Sequence, residues 1–169
     1  FSRFLEICML SNGSQINYTE IGNDAGIPPR IVREYFQILD DTLLGYQLPA
    51  YRKTIKRKPV ATSKFYLFDV GIANNLLKKS NILPKTQDFG NALEHLIFLE
   101  LRAYLDYNLI NLDLTYWRST SQFEVDFIVG DKIAIEVKGK EKITEKDCKG
   151  LKALSEEIAF NKKIIISSE

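Results

Sequence analysis

The stretch 123–137 narrows the fold more than any other part of the sequence. It reads Phe-Glu-Val-Asp-Phe-Ile-Val, then Gly130-Asp131-Lys132, then Ile-Ala-Ile-Glu-Val. Alternation of apolar and polar side chains is the signature of strands with one buried face, and the intervening Gly-Asp-Lys is a turn, so the segment predicts a hairpin. With a three-residue loop, Val125 faces Val137, Phe127 faces Ile135 and Val129 faces Ile133, which makes one wholly apolar face. The other face then sets Glu124 opposite Lys138, Asp126 opposite Glu136 and Ile128 opposite Ala134. A two-residue loop would slip every pair by one and push charges into the apolar face. The pattern therefore predicts Asp126 and Glu136 side by side, with Lys138 two residues on along the same face. Carboxylates directly opposite each other cost a few tenths to about 1 kcal/mol when exposed. Two readings account for such a pair: a wet sheet face on which Lys138 and solvent absorb the repulsion, or a site for a hard divalent cation, which binds one or two carboxylates and keeps several waters.

The flanking segments predict what surrounds the hairpin. A helix over 87–107 carries the apolar positions Phe89, Ala92, Leu93, Leu96, Ile97, Leu101 and Leu105 as its buried stripe, with Glu94 at the edge and Gly90 leaving space one turn earlier. Strands are expected at 112–117 and 163–166, and a helix over 144–160. Upstream, helices are expected at 1–11, from an N-capping Thr19 to Ala25, and from Pro29 to Asp41, then apolar strand-like segments at 43–51 and 65–68 and a short helix at 70–79. Three short helices followed by a hairpin with a basic tip is the order of a winged helix-turn-helix. The expected fold class is thus α/β (α+β): a winged-helix domain with connector at 1–83, bounded near Pro84, and an αβββαβ domain with a mixed sheet at 84–169.

Charge distribution suggests partners more than net charge does, since the net charge is only +1. The stretch 52–64 holds Arg52, Lys53, Lys56, Arg57, Lys58 and Lys64 with no acid among them, which suits phosphate contact from a wing. Arg30 and Arg33 on the third helix face the same use, but Glu34, Asp40 and Asp41 beside them would repel a phosphate backbone. A protein-contacting winged helix stands beside the DNA-contacting one as a reading. Arg118 at a strand end and Lys140 beyond Lys138 are further phosphate-binding candidates. His95, the single histidine, diverges from Glu94 by about 100° around the helix and reads as a surface or core-edge residue. Trp117 reads as core. No apolar run approaches the ~18–20 residues of a membrane span, two cysteines are too few for a disulfide framework or thiolate metal site, and no secretory signal is visible. The expectation is a cytoplasmic protein. The chain opens at Phe1, already in helical periodicity, which predicts a piece of something longer.

Gly90 and Glu94 on a helix, Glu124-Val125-Asp126 on a strand and Glu136-Val137-Lys138 on the next together resemble the P-D-(D/E)-x-K nuclease superfamily, which includes restriction endonucleases and archaeal Holliday-junction resolvases. Val125 stands where the superfamily's name has Pro. The whole chain, including Lys64 to Gly71 and Tyr116-Trp117-Arg118, is similar to the C-terminal region of prokaryotic AAA+-type ATPases, in which a winged helix and a nuclease-like domain follow the ATPase module. The resemblance implies a restriction-endonuclease-like second domain in which Asp126 and Glu136 hold Mg2+ or Mn2+, with the Val137 carbonyl as third ligand and Glu94 bound directly or through water. Lys138 would orient or help deprotonate the attacking water. It also implies DNA as substrate and an ATPase module outside this chain, with a homo-oligomer allowed. No G-x-x-x-x-G-K-S/T occurs here, so no ATP site is expected. Two functions follow: a Mg-dependent deoxyribonuclease, or a catalytically silent DNA- or protein-binding module that regulates the ATPase.

Overall fold

The computed structural model describes residues 1–79 and 81–168. The chain divides into two compact units, Phe1–Leu48 with Thr62–Asn81, and Pro49–Ala61 with Ile82–Glu169. Both are mixtures of helix and sheet. No helix among the described residues is long and apolar enough to cross a membrane.

The first unit runs α1 (Ser2–Met9), β1 (Ser14–Gln15), α2 (Tyr18–Ala25), α3 (Pro29–Asp41), β2 (Gly45–Leu48), β3 (Lys64–Leu67) and α4 (Val70–Leu76). Its strands form an antiparallel sheet in the order β1-β3-β2. Phe36 centres the core, meeting the rings of Phe4 at 5.3 Å and Phe65 at 5.0 Å edge-on. Asn17, not the expected Thr19, caps α2: its side chain accepts the Glu20 N–H at 3.2 Å and donates to the Glu20 carboxylate at 2.9 Å. Asn17 is the cap because the helix starts at Tyr18, two residues earlier than a Thr19 cap implies.

The second unit holds α5 (Gln87–Tyr107), β4 (Leu114–Arg118), β5 (Glu124–Val129), β6 (Ile133–Lys138), a 3-10 turn (Glu145–Cys148), α6 (Lys149–Ser155) and β7 (Lys162–Ser167). The sheet order is β4-β5-β6-β7, with only β6 and β7 parallel. That parallel pair needs a crossover, and α6 supplies it. A single helix over 144–160 does not form. Thr144 and Asp147 close a reciprocal capping box over the 3-10 turn, so α6 proper begins only at Lys149. The buried face of α5 also differs from the expected stripe: His95, Phe98 and Leu105 are buried, whereas Leu96 is 45% exposed. His95 belongs to the core, because the face that meets the sheet is centred on Phe98, which stacks on Phe127 with ring centroids 6.2 Å apart.

The basic stretch after β2 is not a free hairpin tip. It packs within the second unit, along the outer edge of β4. Tyr51 N–H donates to the Tyr116 carbonyl at 2.7 Å and Val60 N–H to the Arg118 carbonyl at 2.9 Å, with isolated bridges Ala50↔Tyr116 and Pro59↔Ser119. An edge strand presents unpaired backbone groups that invite non-native pairing, and 49–61 satisfies several of them.

Gly150 marks the closest approach of α6 to the sheet: a Cβ there would lie 1.7 Å from the Glu124 carbonyl oxygen. Alanine is normally better than glycine in a helix by up to about 1 kcal/mol, but the contact is with backbone and cannot yield. Gly150→Ala is expected to destabilise the protein by about 3 kcal/mol, read as a lower urea midpoint.

Candidate functional site

The hairpin folds with the expected register where the pattern is strictest: Phe127↔Ile135, Ile128↔Ala134 and Val129↔Ile133. Towards Asp126 the regular pairing gives way. The Val137 N–H, which a continued ladder would direct to the Val125 carbonyl, donates instead to Asp126 Oδ2 at 2.7 Å. Asp126 lines a hollow with Gly90 and Glu94 of α5, and Phe127 stacks on the same helix. Two consecutive residues turned towards one helix is what a bulge produces. Val125 accordingly joins Trp117, Ile128, Ala134 and Leu151 in the core beneath α6, not the Phe127 face predicted for it.

The two carboxylates line adjoining hollows. The hollow containing Asp126 is lined also by Lys85, Val137, Lys138, Gly139 and Lys140. Glu136 lines a second hollow with Glu124, Lys138, Lys146, Asp147 and Gly150. Lys138 is common to both. The expected side-by-side pairing of Asp126 and Glu136 is therefore replaced by two adjoining hollows bridged by one ammonium. Among the described residues, no group of three or more His, Cys, Asp or Glu side chains is placed to hold a metal ion together.

Glu136 is strongly perturbed by its burial. It is 5% exposed, its Oε1 accepts from Lys138 Nζ at 2.5 Å, and its Oε2 is buried without a hydrogen-bond partner. Burial pushes its carboxyl up to about 7, Lys138 opposes that rise, and the charges of Glu124 and Glu94 reinforce it. Burial alone would lower Lys138, but its bond to Glu136 and the charges of Glu136, Asp126 and Asp147 outweigh it, so the ammonium is held above its ordinary value. Lys138 is a cation at neutral pH, suited to orienting and to offsetting negative charge and unsuited to taking a proton. An orphaned, buried carboxylate oxygen beside a second acid is a site that a hard cation with one or two carboxylate ligands and water would satisfy. Glu94 shares the Asp126 hollow, and Glu136 lines the adjoining one.

The remaining candidates are distributed differently. Lys140 pairs with Asp147 at 2.7 Å, and that ion pair together with the Thr144 bonds drives Asp147 well below the usual carboxylate range. Arg118 bonds Gln122 at 2.6 Å and pairs across the ladder with Glu124 at 3.3 Å. In the first unit, Arg30 pairs with Glu34 at 3.2 Å and Arg33 lies over the Tyr18 ring at 4.0 Å. Arg52 caps the Ala61 carbonyl and Lys53 pairs with Asp131 at 2.5 Å. Lys56 lies within 3.4 Å of the Glu156 carbonyl, Arg57 binds Glu156 at 2.6 Å, and Lys58 is exposed. Trp117 is fully buried. Cys8 is a core thiol that burial pushes up to about 12. Sequence reasoning missed Gly139, whose Cβ would lie 2.8 Å from the Gly90 Cα, so glycine at 139 lets the strand end approach α5. The signal was present in a glycine placed directly after Lys138.

With this geometry in view, the sequence can be compared with known families. Residues 1–82 match a domain of unknown function (DUF8612), and residues 89–169 match a second domain of unknown function (DUF4143). No curated protein and no solved structure matches the chain.

Because Glu136 holds its proton more tightly folded than unfolded, native protein binds the extra proton between about pH 4.5 and 7. Stability from this group therefore falls as pH rises through that window. Glu136→Gln, which mimics the protonated form, is expected to be more stable than wild type at pH 8 by on the order of 2 kcal/mol, with the gap closing by pH 4.5. Urea unfolding in EDTA across that range checks it; a constant difference would reject the assignment.

Proposed function

We propose that the second unit is a P-D-(D/E)-x-K nuclease-like domain that hydrolyses DNA phosphodiester bonds with Mg2+ or Mn2+, and that the first unit is a winged helix. The observation that carries the reading is the buried, unpartnered Oε2 of Glu136, held beside Lys138 and next to the hollow that contains Asp126 and Glu94. The order α5-β4-β5-β6-α6-β7 supports a restriction-endonuclease-like fold, and three helices followed by the β1-β3-β2 sheet support the winged helix. DUF4143 domains are typically found with AAA-type ATPases, which supports an ATPase module as partner in the same system.

When bound, the cation lowers the pKa of a coordinated water and stabilises charge on the phosphate oxygens. Asp126 and Glu136 would supply the anionic ligands from adjoining hollows, and the Asp126 bond to Val137 N–H fixes the carboxylate that faces the Glu94 hollow. Lys138, kept protonated by its acidic neighbours, orients the water and offsets charge at the scissile phosphate. Gly90 lines the same hollow as Asp126 and Glu94, and a Cβ there would meet nothing within 4 Å.

A catalytically silent regulatory module is the second reading. It is favoured by the engagement of Glu136 Oε1 with Lys138 and of Asp126 Oδ2 with Val137, and by the lack of a three-ligand group among the described residues. Incubation with supercoiled, branched and single-stranded DNA plus Mn2+ separates the two. Cleavage is expected to be lost in Glu136→Ala and reduced at least a hundredfold in Lys138→Ala, roughly the loss for one transition-state charge partner. No cleavage above the Glu136→Ala control on any substrate would leave the regulatory module as the reading.

A further inference from the structure

The loop that the sequence offers as a wing tip is built into the second unit by a complete set of bonds. Thr54, only 7% exposed, accepts the Trp117 indole N–H at 3.1 Å and donates to the Arg57 carbonyl at 2.9 Å. Three successive backbone N–H groups converge on one carboxylate: Ile55 and Lys56 reach Glu157 Oε2 at 2.8 and 2.9 Å, and Arg57 reaches Oε1 at 3.1 Å. The Glu157 side chain is 3% exposed. Arg57 completes the anchor through the Ala153 carbonyl at 3.1 Å and the Glu156 carboxylate at 2.6 Å, with its guanidinium 5.3 Å over the Phe123 ring. Successive N–H groups closing on an anion form a nest, and here the chain supplies the anion itself.

What this fixed backbone presents is unusual. Ile55, at the apex, is 94% exposed, and Arg52, Lys53, Lys56 and Lys58 are exposed around it. Single exposed aliphatic residues are ordinary on protein surfaces. An isoleucine held rigidly outward by a buried latch and ringed by cations is a different arrangement. The five cations at 52–58 outnumber their carboxylate partners Asp131, Glu156 and Glu157, so the rim stays positive after its own ion pairs are made. An apolar wedge flanked by lysines is how proteins unstack a base step while neutralising the adjoining phosphates.

We propose that the loop 53–58 is a preorganised duplex-DNA contact of the second unit, with Ile55 as the wedge and Lys56 and Lys58 as its phosphate clamps. The choice of DNA over another polyanion rests on the nuclease-like reading; the loop geometry does not. Fluorescence anisotropy of a short labelled duplex in EDTA, where no cleavage occurs, tests it on the intact chain. The double variant Lys56→Ala/Lys58→Ala is expected to reduce the slope of log K against log salt by about 2. Ile55→Ser is expected to weaken binding roughly fivefold with the slope unchanged, as an apolar contact requires. All three positions are exposed, so folding is not at stake. Wild-type affinity and slope in both variants would overturn the proposal, as would loss of binding to anionic vesicles with duplex binding intact. Wild-type protein that cleaves no DNA above the Glu136→Ala control but still shows the expected duplex-binding losses in the loop variants would sink the nuclease reading and support the wedge, so the two failures are told apart.

Discussion

The hydrogen bond from Val137 N–H to Asp126 is the contact on which the site depends. It replaces one rung of the β5–β6 ladder by a side chain, and so allows the strands to part beside the hollow that Asp126 shares with Glu94. Because the rung is satisfied, the divergence leaves no buried amide unpaired, which would cost about 1–3 kcal/mol. The same bond turns Asp126 to the α5 side and leaves Glu136 to the α6 side, and Lys138 spans the pair. A buried carboxylate that shares one ammonium and keeps one oxygen unsatisfied is a poor way to stabilise a sheet.

Much of this was legible in the sequence because one physical rule dominated locally. Alternation in a strand has one solution when one face is apolar, so Phe127↔Ile135 and Val129↔Ile133 could be read directly. The long helix could be read over 87–107 from its apolar periodicity, and the structure adds the Thr86 cap, which accepts the Phe89 N–H at 3.2 Å. What could not be read was any outcome set by tertiary contact. The bulge at Asp126 is decided by a competition between a carbonyl and a carboxylate for one N–H, which hydrophobic pattern does not record. His95 was expected at a margin and lies in the core, because the helix face is chosen by where Phe98 meets Phe127. The helix before β7 was read too long because Thr144 and Asp147 form a cap that only their geometry reveals.

The basic stretch is the clearest case of composition pointing one way and packing another. Six cations in thirteen residues look like a solvated tip. The neutral residues among them, Tyr51 and Thr54, carry the attachment: Tyr51 bonds both the β4 edge and, through its hydroxyl, Asp131 at 3.0 Å, and Thr54 takes the Trp117 indole. Trp117 is therefore both the largest buried side chain and the group that holds this segment in place.

That attachment also sets the order in which the chain can assemble. The nest at Ile55 closes on Glu157 across 102 residues, a separation that spans nearly the whole second unit. Contacts so distant in sequence form late, since chain entropy must be overcome before they contribute. The strap at 49–61 is thus threaded between two segments of the first unit while its own partner strands are made long after it. A cut at any single peptide bond between β3 and α5 would separate the strap from the sheet it covers, so this molecule has two cores but no single place to divide them.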